Sequence, residues 1–272
     1  MNQSETAPKP FHFRLTLPLL AAAICCFSGV SRATGPGLSG AELDHIGHRI
    51  WQNECGGTVE GLTSWNAGEN FASLGIGHFI WYPKGVNGPF EESFPQLVAW
   101  LRAHDVILPK WLLQTERCPW PDKKSFEADY NGARQKELRA LLRKNLREQV
   151  RFIIQRLQNS MPKFREAAGK QAAHVEKNIA LLQKTAAGNF ALIDYINFKG
   201  DGINPKERYQ GEGWGVLQVL IEMKAENAAS APAAFAEASK RVLARRVANS
   251  SPERGEKRWL DGWKNRCERY RE

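Results

Sequence analysis

Cysteine is scarce, and none of it is grouped. Of the five cysteines in the 272-residue chain, Cys25 and Cys26 lie in an apolar N-terminal run. Cys55, Cys118 and Cys267 stand far apart, with no close His or Cys partner. That spacing argues against a structural zinc site, whose ligands come in short clusters. In an oxidising compartment the three distal thiols allow one disulfide and leave one thiol over, with the pairing open. Long apolar runs are also absent after residue 33, so no later stretch is built to span a bilayer. No internal repeat is present. Acid is in deficit: 29 acidic against 38 basic residues give a formal charge of +9 at pH 7. That balance suits a negatively charged polymer, whether nucleic acid, an anionic lipid surface or an acidic glycan, and it equally describes a well-solvated basic surface.

What is there begins with a leader. Residues 1–33 have the build of a secretory signal: Lys9 and Arg14, an apolar run from Leu15 to Val30, then small Ser31 and Ala33 around Arg32. Pro18 and the shortness of the run argue against an uncleaved anchor. Ile24, before Cys25, stands where a lipoprotein signal usually has a small residue. The expected location is therefore periplasmic or secreted, with no stable membrane insertion after signal cleavage. Residues 34–272 are enough for a sizeable core, and we expect one mostly helical domain.

Ser39 with Glu42 three residues later forms a capping box, and Leu43, Ile46, Ile50 and Trp51 follow at helical spacing. Glu54 falls on that same apolar side at the helix end, where Gly56 and Gly57 stop the helix. Leu62 to Tyr82, around the turn-like Asn66-Ala67-Gly68-Glu69-Asn70, reads as a small antiparallel sheet with a last strand Ala72 to His78. Helical patterns then dominate: Glu91 to His104, Lys123 to Asn159, Lys163 to Lys184, Ala187 to Phe198, Trp214 to Glu226, Ala233 to Ala248 and Pro252 to Tyr270. The charged span Arg134 to Arg165 reads as one long amphipathic helix in preference to a nucleic-acid arm. Pro109 to Pro121 and Lys199 to Gly213 read as surface loops. The fold class is α+β, mostly α.

A carboxyl group ending a helix on its apolar side, followed by a small sheet, is suited to glycosidic bond cleavage. That reaction needs an acid still protonated near neutral pH, and burial against Ile50 and Trp51 is expected to raise the Glu54 pKa in that direction. It also needs a group opposite to hold water or stabilise positive charge. Glu69 on the turn and the Ser73 hydroxyl are the available groups.

Glu54, Ser73 and the run Gly75-Ile76-Gly77-His78 resemble, in order, the core of the phage-type lysozymes, which runs from a helix-end glutamate through a hairpin with an aspartate and a threonine into Gly-x-Gly-His. Two later segments add to the resemblance. Ala191-Leu192-Ile193-Asp194 running into Lys199-Gly200 looks like the family's central helix and active-site loop. Asn249 to Arg254, followed by Arg258-Trp259 and Gly262-Trp263, looks like its closing helix. The match covers the two ends of the mature chain; residues 90–184 are longer than the family's equivalent, a family-atypical helical insertion. Ala67 stands where the family has its aspartate, and Glu69 is the carboxylate on the same turn.

The resemblance implies a lysozyme-like fold, with a small antiparallel sheet lobe beside a larger helical lobe, and cleavage of β-1,4 bonds of peptidoglycan by an exported glycosidase. Glu54 would be the general acid, with Glu69 and Ser73 as further catalytic groups. It also implies that Arg254 lies beside the glutamate. Trp65, His78, Tyr82, Asn197, Lys199, Tyr209 and Gln210 complete the substrate-binding candidates. Their structural alternatives are ordinary: Trp65 as core, His78 tying the sheet to the helices, Arg254 as helix surface. A lytic transglycosylase with a single glutamate, a hydrolase of another β-glycan, and an inactive glycan-binding protein are the other readings. The expected partner is a polysaccharide substrate, with no nucleic acid, because the basic residues are spread along amphipathic helices. No cofactor is called for.

Overall fold

The first helix forms where its cap dictates. Ser39 Oγ accepts from the Glu42 amide, and the Glu42 carboxylate accepts from the Ser39 backbone N–H at 2.7 Å. Such a reciprocal cap satisfies two backbone N–H groups that the helix start leaves unpaired. The structure is a computed structural model that describes residues 37–88 and 90–272. The expected leader, residues 1–33, lies outside the described residues.

Helix α1 (Gly40–Cys55) leads into a three-stranded antiparallel sheet of β1 (Thr63–Ser64), β2 (Ala72–Leu74) and β3 (Phe79–Trp81), in the order β1-β2-β3 with Ser64 opposite Ser73 and Ser73 opposite Ile80. Ten helices follow: α2 (Phe94–Ala103), α3 (Lys110–Leu113), α4 (Lys123–Ala128), α5 (Ala133–Lys144), α6 (Leu146–Ala168), α7 (Ala172–Leu182), α8 (Ala186–Lys199), α9 (Val216–Glu222), α10 (Ala231–Asn249) and α11 (Leu260–Glu268). The described residues are thus mostly helical with one small sheet, as the sequence pattern implied. None of the described helices is long and apolar enough to cross a membrane.

Helix α8 is the axis of the packing. Every residue from Gly188 to Ile196 is buried, the pattern of a helix enclosed on all sides. Helices α1, α6, α7, α9 and α10 all pack on it. Phe190, Tyr195, Phe235 and Tyr270 meet edge to face around its middle. Each such fully buried side chain contributes roughly 1.5–3 kcal/mol of transfer free energy.

The sheet leans on the region from residue 90 to 184. The Gln149 side chain accepts from the Ile76 amide at 3.0 Å and donates to the Leu142 carbonyl at 2.7 Å. Buried Arg139 donates to Thr63 Oγ1 at 3.0 Å, and Thr63 donates to Gln135. Helix α6 packs on both α1 and α8, so residues 90–184 form the wall on which the sheet rests.

Four expectations are corrected. The long helix from Arg134 to Arg165 breaks at Asn145, the last residue before α6, where φ −114° and ψ 41° leave helical space. Helix α6 instead runs through Pro162 to Ala168. Pro109 to Pro121 is no surface loop: Leu112, Cys118 and Trp120 are buried, and the Cys118 amide donates to the Tyr82 carbonyl at 3.0 Å. The last strand stops at Leu74, since Gly75 to His78 form the β2–β3 turn.

Cys55, Cys118 and Cys267 are buried free thiols, so the allowed disulfide is not made among them. They sit on α1, on the segment before α4 and on α11. Burial pushes each thiol up to about 12, which keeps them protonated and unreactive.

Candidate active site

Glu54 is the penultimate residue of α1. The helix ends just beyond it because Gly56, at φ +61°, adopts the left-handed cap conformation and donates to the Trp51 carbonyl. Ile50 and Trp51 are buried, and the Glu54 side chain is 12% exposed. Its two oxygens differ. Oε1 accepts from Arg266 Nη2 at 2.7 Å and from Asn197 Nδ2 at 3.2 Å. Oε2 faces His78 Nδ1 at 3.6 Å, beyond hydrogen-bond length.

Arg266, on α11, is held in turn by Asp194, on α8. Asp194 is fully buried and accepts from Arg266 Nε at 2.9 Å and Nη2 at 2.8 Å, from Tyr270 Oη at 2.7 Å and from Asn53 Nδ2 at 3.3 Å. A buried carboxylate is tolerated only with such a full set of donors. Burial alone would weaken the Arg266 proton affinity, but Asp194 and then Glu54 drive it well above the ordinary arginine range. The guanidinium therefore stays charged and is shared between two carboxylates.

The β2–β3 turn supplies the opposite side. Gly75 has φ +71°, and a side chain there would collide with Gln149 Oε1; one at Gly77 would collide with Phe79 and Asn197. Glycine at both positions lets the turn close, Gly75 against α5 and α6 and Gly77 against α8. His78 itself has φ +47°, a backbone state uncommon for a residue with a side chain. The Gly-x-Gly-His run thus sets the imidazole beside Glu54.

Glu69 is half-buried on the turn before β2. Asn66 Nδ2 donates to its carboxylate at 3.0 Å, and Trp65 Nε1 donates to its backbone carbonyl at 2.8 Å. Burial raises its pKa, with Asn66, His78 and the Ser73 hydroxyl offsetting part of the effect. Ser73 is buried on β2. His78 therefore stands within the influence of both Glu54 and Glu69.

The fold brings Glu54, His78, Asn197, Glu69 and Ser73 to one junction between sheet and helices. Lys199, at the end of α8, lies near it, with Nζ 3.9 Å from the Phe198 ring centroid and 3.5 Å from that of Trp263. Burial first, then the like charges of Arg246 and Arg266, depress its pKa well below the ordinary lysine range; Glu54 and Glu256 act the other way. Trp65 is taken up in the core against Phe126, and Tyr82 is buried against Phe71, so neither offers an open ring face. Gln210 is exposed on a tight turn at φ +51°.

Arg254 is not beside Glu54. It donates to Glu256 at 3.3 Å, in a separate buried cluster where Tyr209 Oη also donates to Glu256 at 2.9 Å and Arg246 donates twice. Burial works against ionisation of Glu256, but Arg246, Tyr209 and Arg254 hold its carboxyl below the usual range. The arginine at the glutamate is Arg266, which the sequence reading missed together with Asn53 and Tyr270. One signal was present: Asp194 interrupts an otherwise apolar helix, and a buried acid requires a cation. Arg266 and Tyr270, one helical turn apart, share the face that reaches it.

Among the described residues no group of three or more His, Cys, Asp or Glu side chains is arranged to hold a metal ion. Compared with protein-family models, with curated proteins and with solved structures, the chain shows no significant match.

Proposed function

We propose that this chain is an exported, lysozyme-like glycosidase that cleaves β-1,4 bonds of peptidoglycan, with Glu54 as general acid. One observation carries the reading: the Glu54 carboxyl is anchored through one oxygen while the other faces the sheet turn. Arg266 and Asn197 fix Oε1, so a proton on Oε2 has a defined direction for delivery to a glycosidic oxygen. Orientation of this kind is what makes acid catalysis effective, commonly by about 10²–10⁴-fold.

Glu69, whose charge interacts with that of His78, serves as the second carboxyl group, the base or nucleophile that a hydrolase needs. Ser73 and His78 position the water and the sugar between them. The basic charge of the chain and the expected export signal agree with a wall polymer bearing carboxylates. The reading is tested by incubating the protein without its leader with purified peptidoglycan and analysing soluble products by mass spectrometry. Products with ordinary reducing ends are expected. Anhydro-sugar products would replace the hydrolase with a lytic transglycosylase, and the absence of any product would sink the enzymatic reading.

A further inference from the structure

We propose that Trp259 and Trp263, with Arg258, form a stacking platform that extends the Glu54 site and receives a carboxylate-bearing glycan strand. The proposal rests on the glycan reading of Glu54. Arg266, Trp263 and Trp259 follow one another at spacings of three and four residues, so they share one side of the closing segment. From Arg266, which holds Glu54, to Trp259 is seven residues, roughly 10 Å along a helix axis.

The line between them is continuous. Arg266 lies over the Phe198 ring at 4.0 Å, Phe198 meets Trp263 edge to face at 6.3 Å, and Trp263 meets Trp259 at 6.0 Å with 33° between the planes. Exposure rises along it: Arg266 is 10% exposed at its side chain, Trp263 is half-buried and Trp259 is 43% exposed. Most tryptophans in this chain are buried or half-buried, whereas Trp259, with Trp263 and Arg258 against its ring, still keeps a large exposed edge at the end of a stack leading to a candidate acid. The C–H face of a pyranose packs on an indole as an apolar surface does. Arg258, whose guanidinium is 4.6 Å from the Trp259 ring centroid, supplies a planar donor for a sugar-borne carboxylate. Trp263 is backed by Lys199 and by Arg246 at 5.2 Å, which fixes the inner ring and leaves the outer one for the ligand.

The test pairs binding with turnover. In a Glu54→Gln background, co-sedimentation with intact peptidoglycan should weaken about tenfold on Trp259→Ala, and Trp259→Phe should retain most of the affinity. Arg258→Gln should weaken binding to peptidoglycan but not to an uncharged N-acetylglucosamine oligomer. In the active chain Trp259→Ala should raise KM by the same factor with kcat nearly unchanged, the mark of lost binding rather than lost chemistry. Ile107→Ala, at an exposed apolar residue elsewhere, is the control and should change neither. Cleavage with no Trp259 effect overturns the platform and leaves the enzymatic reading standing. Trp259-dependent binding without cleavage does the reverse, and neither binding nor cleavage overturns both.

Discussion

Two buried carboxylate–arginine clusters sit in the helical part of this protein, and only one of them is a candidate site. In the first, Asp194 and Arg266 form a closed pair with Tyr270 and Asn53, and Glu54 is attached at the rim. In the second, Glu256 is enclosed by Arg246, Tyr209 and Arg254, and both of its oxygens are occupied. Burial and charge are shared by both. The difference is that Glu54 keeps one oxygen directed at the sheet turn, whereas Glu256 has none to offer. A perturbed ionisable cluster is therefore not in itself a site; an anchored group with a free, oriented atom is.

Substitutions break this contrast in a graded way. Glu54→Gln should lower glycan cleavage by about 10²–10⁴ while thermal unfolding stays close to that of the parent; wild-type turnover in this variant would remove Glu54 from the mechanism. Glu256→Gln should leave turnover within a few-fold.

Arg266→Met should act on both stability and activity. It leaves buried Asp194 without its cation and Glu54 Oε1 with Asn197 alone, and loss of one partner of a buried pair costs about 3–5 kcal/mol. A denaturant titration reads that loss, and an unchanged midpoint would mean that the Asp194–Arg266 pair does not contribute to stability. Glu69→Gln separates the two sides of the junction. If Glu69 is the base, turnover falls by about 10²-fold or more. Because burial raises its pKa, the parent's acid limb should lie at higher pH than for an ordinary carboxylate. Below that limb Glu69 is protonated and activity is lost, so a pH–rate profile of the parent that runs flat through the weakly acidic range would exclude the role.

The smallest effect belongs to the closed cluster. Glu256→Gln leaves Arg246 short of its counter-charge, at a cost of about 1–3 kcal/mol. The Glu256 pKa is lowered by folding, so its stabilisation is complete above the ordinary glutamate value and fades as pH falls through the folded value. Melting curves of parent and Glu256→Gln should therefore converge toward acid pH. Curves that stay parallel would show that Glu256 does not contribute through its charge.

Much of the fold was legible locally. The Ser39–Glu42 cap, the apolar side of α1 and the glycines that end it are short-range signals, and the apolar pattern from Ala187 to Phe198 falls within one residue of each end of α8. The sheet was found, but its Gly75 to His78 turn was read as strand. The glycines there answer to Gln149 and Asn197, side chains distant in sequence. The Trp- and Pro-rich stretch from Pro109 looked like a loop because its burial comes from partners such as Trp81 and Phe126.

Sequence by itself determined which residue types are the candidates for the proposed chemistry: a helix-end acid, a glycine turn with His78, and a second acid on a neighbouring turn. Only the tertiary structure decided that Arg266, and not Arg254, holds Glu54, across 212 residues of chain. Two arginines on adjoining segments have the same local propensities and the same charge. What separates them is the buried Asp194 on α8, whose desolvation must be offset by a cation brought to it by packing. That requirement exists only once the helices are assembled.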